Sequence, residues 1–285
     1  MNETGRRPMR ALLALAVTLA VAVPAAAQAG ESRLESLDAA AADSSETYLD
    51  LTRAFVPDLE ADGMTWEGHS LNEDFATRFD LDTDWPDGLS ISGVETVPVT
   101  SGGSRRLAVL YDFGPLSDVP QGPAILALYE LGQSVRLIDA VDVGLDRESS
   151  FSDPATLDLG GGVSALVVRS DLGNSNQSYR ATSVMLATAK GLTPIDTIQT
   201  FSERLCGLSR TQEPTVTVDK AGKTPALRVE VRIRDEKVEE SCDESPAPQP
   251  ERTISVTYRP DERTGAYAPD SDTLEVLARE NEERF

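Results

Sequence analysis

The sequence predicts a mainly β fold: antiparallel, blade-like repeats of about 60 residues in a propeller or propeller-like arc, with short helices at both ends. Three observations carry this expectation. The first is an internal repeat. Residues 107–114 read LAVLYDFG and residues 166–173 read LVVRSDLG, so Leu107, Val109, Asp112 and Gly114 align with Leu166, Val168, Asp171 and Gly173. Ile138-Asp139 and Ile195-Asp196 follow in the same order at nearly the same spacing. In each copy a strand ends in Asp-x-Gly, a loop follows, and a hairpin returns. A fainter third copy starts at Leu227-x-Val229 and continues through residues 254–268, while residues 88–97 resemble the last strand of a preceding copy. The second observation is strict alternation. Leu227, Val229, Val231 and Ile233 share one face of a strand, and Arg228, Glu230, Arg232 and Arg234 share the other. The charged face must be wet, so the strand belongs to a half-buried antiparallel sheet. Residues 215–218 (TVTV) are its hairpin partner. The third is helical spacing near the ends. Ser44 can cap a helix over residues 45–55 with Tyr48, Leu51 and Phe55 on one face, ended by Pro57. Ser271 or Asp272 can cap a last helix with Leu274, Leu277 and Ala278 as its apolar stripe and Asn281, Glu282 and Glu283 in water.

A unit of three or four antiparallel strands cannot bury both of its faces, so stacked copies must bury each other. A two-layer β-sandwich is the alternative arrangement. The period and the Asp-x-Gly turn resemble the FG-GAP/VCBS-type repeats of secreted and cell-surface β-propellers, over residues 88–268 at most. The resemblance implies binding or scaffolding more often than catalysis. That family carries a calcium-binding Asp-x-Asp-x-Asp-Gly turn in each repeat, and the repeated units here do not.

The first 29 residues read as a secretory signal peptide. Arg6, Arg7 and Arg10 form a positive start, residues 11–23 form an apolar run, and Ala27-Gln28-Ala29 offers a small-x-small cleavage site. The apolar run falls short of the ~20 residues that span a bilayer. The expected organisation is a signal peptide over residues 1–29, a tether over 30–43, and one β-rich domain over 44–285. The expected location is periplasmic or secreted. The chain carries a formal net charge of −22. That field repels nucleic acid and anionic membrane surfaces. In an exported chain the two cysteines, Cys206 and Cys242, suggest a disulfide across the open end of the 215–233 hairpin.

The residue types exclude several chemistries. His69 is the single histidine, which removes multi-histidine metal sites and leaves a serine triad only one base. Gly-x-Ser-x-Gly and Ser-x-x-Lys are both absent. Asp80, Asp82, Asp84 and Asp87 supply hard oxygens at alternating positions, the pattern calcium prefers, although Trp85-Pro86 stands where an EF-hand loop needs glycine. Asp139, Asp142, Asp146, Asp153 and Asp158 form a second acidic stretch. Two such carboxylates held ~5–10 Å apart could hydrolyse a glycosidic bond, with Trp66 or Trp85 as a sugar platform. Asp171, Asn174, Asn176, Gln177 and Tyr179 form a polar loop suited to reading sugars or peptide backbone, and equally suited to being an ordinary turn. The expectation is a soluble exported binding or scaffold protein of the bacterial envelope. Its ligand would be a glycan, a peptide or an envelope protein, with Ca²⁺ as the one candidate ion. The alternative is a carboxylate-dependent polysaccharide hydrolase.

Overall fold

The computed structural model describes residues 30–115, 122–145, 148–220, 222, 224–239, 247–261 and 263–284. The expected signal peptide, Asp146 and Cys242 lie outside the described residues.

The alternating apolar runs form long strands that turn back on themselves, in three antiparallel sheets, none of them closed into a barrel. The chain starts with β1 (Arg33–Glu35), α1 (Tyr48–Thr52), β2 (Glu60–Asp62), β3 (Thr65–Ser70), α2 (Glu73–Phe79) and β4 (Asp84–Ile91). Next come β5 (Val94–Ser101), β6 (Ser104–Asp112), β7 (Gly114–Pro115), β8 (Ala124–Glu130) and β9 (Arg136–Asp142). Strands β5, β6, β8 and β9 form a four-stranded meander with β1 added at its edge, and β2, β3, β4 and β7 form a small sheet beside it.

A second meander consists of β10 (Glu148–Asp158), β11 (Ser164–Gly173), β12 (Gln177–Thr188) and β13 (Gly191–Leu205). A third follows in β14 (Leu208–Asp219), β15 (Ala226–Lys237), β16 (Arg252–Pro260) and β17 (Tyr267–Pro269), and α3 (Thr273–Glu282) ends the fold. The second and third meanders are formally one sheet. However, β13 and β14 pair only at their turn, over Glu203↔Arg210, Arg204↔Ser209 and Leu205↔Leu208. Beyond these pairs the strands part, and the two meanders become separate layers with apolar residues between them.

Three apolar clusters therefore separate four layers. The first holds Leu107, Val109 and Tyr111 of β6 against Phe55, Leu59 and Phe75 of the N-terminal unit. The second holds Ala108 and Leu110 of β6 against Leu166 and Val168 of β11. The third holds Val167 of β11 and Val184 of β12 against Val229 and Val231 of β15, with Leu274 and Leu277 of α3 at its margin. The repeat keeps its orientation. Leu107 and Leu166 occupy the same repeat position, and each packs toward the layer that precedes it. In the third meander, Arg228 and Arg232 on the far face of β15 are exposed and paired with Asp219 and Glu251. A stack of this kind needs such a polar face on its last layer.

Two joints fasten the layers. At the first, the β5–β6 turn meets two turns of the second meander. The Gly103 N–H donates to the Gly162 carbonyl at 3.2 Å, and a Cβ on Gly162 would stand 2.6 Å from Gly103 N. Arg106 of β6 is 7% exposed and donates to Ser101 Oγ (2.9 Å) and to the carbonyls of Thr188 (3.0 Å) and Ala189. At the second joint, Gln212 fills the gap where β13 and β14 part. Its Oε1 accepts from the Phe201 N–H (3.1 Å) and from Asn281 Nδ2 (2.9 Å), and its Nε2 donates to Asn281 Oδ1 (2.7 Å). This reciprocal amide pair docks α3 onto the split.

Several expectations need correction. Residues 30–43 are not a tether. β1 pairs with β5, the Gly30 N–H donates to Thr156 Oγ1, and Leu37 and Ala41 are fully buried. The first helix is shorter than residues 45–55, and Thr47, not Ser44, caps it by accepting from the Asp50 N–H. Asn281 is buried, because it falls on the stripe of Leu274 and Leu277, and its amide is satisfied by Gln212. The second helix, α2, falls where the pattern between the end helices was expected to be β. Its cap is Asn72, whose Oδ1 accepts from the Asp74 and Phe75 N–H groups. By contrast, the hairpin of residues 215–218 with 227–233 forms with Val216 opposite Val229 and Val218 opposite Leu227.

Cys206 stands in the β13–β14 turn, and no described cysteine is free. The Val238 N–H donates to the Gly207 carbonyl, so the chain leading to residue 242 leaves β15 beside that turn. We expect Cys206→Ser to lower the stability of the oxidised chain by about 3 kcal/mol in a denaturant titration. Thiol titration under denaturing, non-reducing conditions should find no free thiol in the unaltered chain. Two free thiols would refute the pairing with Cys242.

Candidate ligand-binding cleft

β10 is an edge strand, and its outward N–H groups need acceptors. Two carboxylates of the first meander supply them. Asp112, at the end of β6, accepts from the Ser149 N–H at 3.2 Å, and Glu95 on β5 accepts from the Phe151 N–H at 3.0 Å. The Gly30 carbonyl accepts from the Ala155 N–H farther along the same edge. The Ser149 and Ser170 hydroxyls are 2.8 Å apart, and Ser170 donates to the Val143 carbonyl. A hydroxyl has one proton, so Ser149 must be the donor to Ser170.

Above this clasp lies a cleft of about 470 Å³. Glu95, Asp112 and Ser149 line it together with Ser90 and Ser92 at the end of β4 and Thr65 of β3. Leu34 of β1, which is 77% exposed, forms an apolar rim. Its polar groups are hydroxyls and carboxylates, set among Leu34, Ile91 and Leu110, with no aromatic side chain among the described lining residues. Burial pushes the Asp112 carboxyl up to about 6, helped by the negative charges of Glu148 and Glu95 and opposed by the Ser149 N–H. Asp142 is also raised by burial, although it accepts from the Gly144 and Ala124 N–H groups. Each clasp carboxylate accepts from β10 through one of its two oxygens.

A raised carboxyl lowers stability once it is charged. Its folded value of about 6 exceeds the ordinary carboxyl value of 3.8, so the folded protein binds more protons than the unfolded chain between those limits. Stability is then greatest below the unfolded value and falls as pH rises through about 6. In Asp112→Asn this decline should shrink by about 2 kcal/mol, because the amide oxygen still accepts from Ser149. Thermal unfolding of the two proteins at pH 4 and pH 8 checks it. Equal pH profiles would overturn the assignment to Asp112.

The sequence-predicted sites fall elsewhere. Asp80 ends α2 in a left-handed conformation (φ 57°). The Asp82 carbonyl accepts from Trp85 Nε1, and Asp84 and Asp87 lie exposed on β4. Among the described residues, no three acidic, histidine or cysteine side chains are grouped to hold a metal. Trp66 and Trp85 pack against the first apolar cluster, and Arg53 lies over Trp66. His69 is exposed, and its N–H donates to Asp58.

The loop at 171–179 is partly spent on its own turn. Asn174 Oδ1 accepts from the Asn176 and Gln177 N–H groups, and the Asn176 carbonyl accepts from the Arg204 N–H. Asn174, Gln177 and Tyr179 also line a small cleft of about 100 Å³ with Phe201. Asp171 accepts from Arg180 Nε at 2.6 Å and stands 3.6 Å from Arg169 Nε. Asp139, of the second acidic stretch, accepts from the Leu192 N–H and pairs with Arg78, tying β9 to β13. Asp158 caps the turn at Gly160. These acids do not share the main cleft with Asp112.

Sequence reasoning noted Asp112 only as a repeat position and missed Glu95. The two are 17 residues apart on paired strands and meet through β10, which no local pattern encodes. The chain matches no known protein family, and no curated protein or solved structure matches it.

Proposed function

We propose that this chain is an exported, soluble binding or scaffold protein of the bacterial envelope, with its three meanders acting as blade-like repeats in an open, propeller-like arc. The repeat of strand order and of inward-facing positions supports the arc over a two-layer sandwich. Residues 1–29 support export. The main observation behind a binding role is the cleft at Glu95, Asp112 and Ser149, a hollow of mixed polar and apolar lining whose two carboxylates are fixed by hydrogen bonds from β10. Hydroxyls and carboxylates without an aromatic platform suit a hydroxylated or amine-bearing partner, such as an amino sugar or a peptide amine. Calcium has the carboxylates of the 80–87 run as its candidate ligands.

The test is binding of the mature chain to an array of glycans, peptides and envelope components at pH 7. We expect a saturable partner whose binding weakens about tenfold in Glu95→Gln, the loss of one charge-assisted contact. An array with no saturable partner would count against the reading. The polysaccharide hydrolase remains the second reading, and one observation favours it. Asp112, raised to about 6 and beside Glu95, has the profile of a general acid next to a charged carboxylate.

A further inference from the structure

A second cleft, of about 180 Å³, lies between the second and third meanders. Its walls come from Ser152, Asp153 and Pro154 of β10, Arg169 of β11, Arg180 and Thr182 of β12, and Pro214 to Val216 of β14. Arg169, Asp171, Arg180 and Thr182 continue the strand faces of Val167 and Val184, so they point toward the third meander just where the apolar cluster ends. Asp171 holds both arginines by their Nε atoms, and Ser150 also accepts from Arg169 Nε. The outer amino groups of the two guanidinium groups have no partner among the described residues. Thr182 is 3% exposed, and its hydroxyl has no hydrogen-bond partner among the described residues. A buried hydroxyl without a partner is costly, and it points to an absent one.

We propose that this cleft binds a small, singly charged carboxylate, held by the outer amino groups of Arg169 and Arg180 and by the hydroxyls of Thr182 and Thr215. Planar guanidinium groups match the geometry of a carboxylate. Asp171 and Asp153 balance the two arginines, so the site is near neutral and disfavours a dianion such as phosphate. Pro214 and Val216 provide an apolar wall for the carbon skeleton. Asp171 is a positioning residue, which fixes the two arginines rather than touching the ligand. The site is separate from the Asp112 cleft and does not depend on the function proposed for it.

The experiment is an NMR titration of the mature chain with acetate and with glucuronate, at constant ionic strength. Glucose and phosphate are the comparisons. Saturable shifts should appear at Thr182 and at the Arg169 and Arg180 side chains with both carboxylates. Arg180→Gln should weaken binding about tenfold, as should Thr182→Val, which has nearly the same shape and cannot donate. Thr182→Val also removes the unpartnered hydroxyl, so it should fold at least as stably as the parent. No saturable shift with either carboxylate would overturn the proposal, as would unchanged affinity in Thr182→Val. Phosphate binding as tightly as acetate would overturn the assignment of a singly charged ligand.

Discussion

Arg106→Ala is expected to cost about 3 kcal/mol of stability, a loss of roughly 10 °C in unfolding temperature. Arg106 is buried at 7% exposure, and its hydrogen-bond acceptors are carbonyls and a hydroxyl rather than carboxylates. Its charge is compensated by the Thr188 and Ala189 carbonyls and by the Ser101 hydroxyl, all at the joint between the first and second meanders. Truncation leaves a cavity, and it removes donors from carbonyls that water reaches poorly. It also removes the side chain that bridges the β5–β6 turn to the β12–β13 turn. Arg106→Lys should recover little, because a single ammonium cannot span the same acceptors. Chemical denaturation of the three proteins measures both effects. A loss below about 1 kcal/mol in Arg106→Ala would show that the joint contributes little.

Gln212→Leu is expected to cost a similar amount, about 3 kcal/mol, for a different reason. The leucine fits the apolar margin of the third cluster, but it strands the buried amide of Asn281 and removes the acceptor of the Phe201 N–H. Asn281→Leu should cost nearly as much, since it strands the Gln212 amide. The double variant Gln212→Leu/Asn281→Leu should be less destabilised than the sum of the two. Removing both members of a buried polar pair leaves fewer orphaned groups than removing one. A strictly additive cycle would mean that the amide pair does not couple α3 to the split between β13 and β14.

These joints also show what a sequence can and cannot reveal. The repeat was legible because alternation encodes which way a side chain faces. Leu107 and Leu166, or Val109 and Val168, keep that direction through the stack. The wet face of β15 was legible for the same reason. Arg106 was not, because a single arginine in a strand gives no sign that two carbonyls more than 80 residues away, with the nearby Ser101 hydroxyl, surround it. Residues 30–43 looked like a tether because their alanines and acids carry no period, yet Leu37 and Ala41 are buried by long-range packing. Asn281 had the right spacing, four residues beyond Leu277, but its polarity argued for water. Thr182 and the two arginines of the second cleft offered a fainter clue. Arg169 follows Ala165 and Val167 on an otherwise apolar face, a break in pattern that marks where the cluster ends.

The central functional claim is that the Asp112 cleft binds without performing chemistry. Its most direct test is mass spectrometry of each array partner after prolonged incubation with the mature chain, between pH 5 and pH 7. This range brackets the value of about 6 at which Asp112 changes charge. Every partner should be recovered intact, with binding that saturates and that Glu95→Gln weakens. A cleaved polysaccharide, formed by the parent protein and not by Asp112→Asn or Glu95→Gln, would contradict the claim and establish the hydrolase.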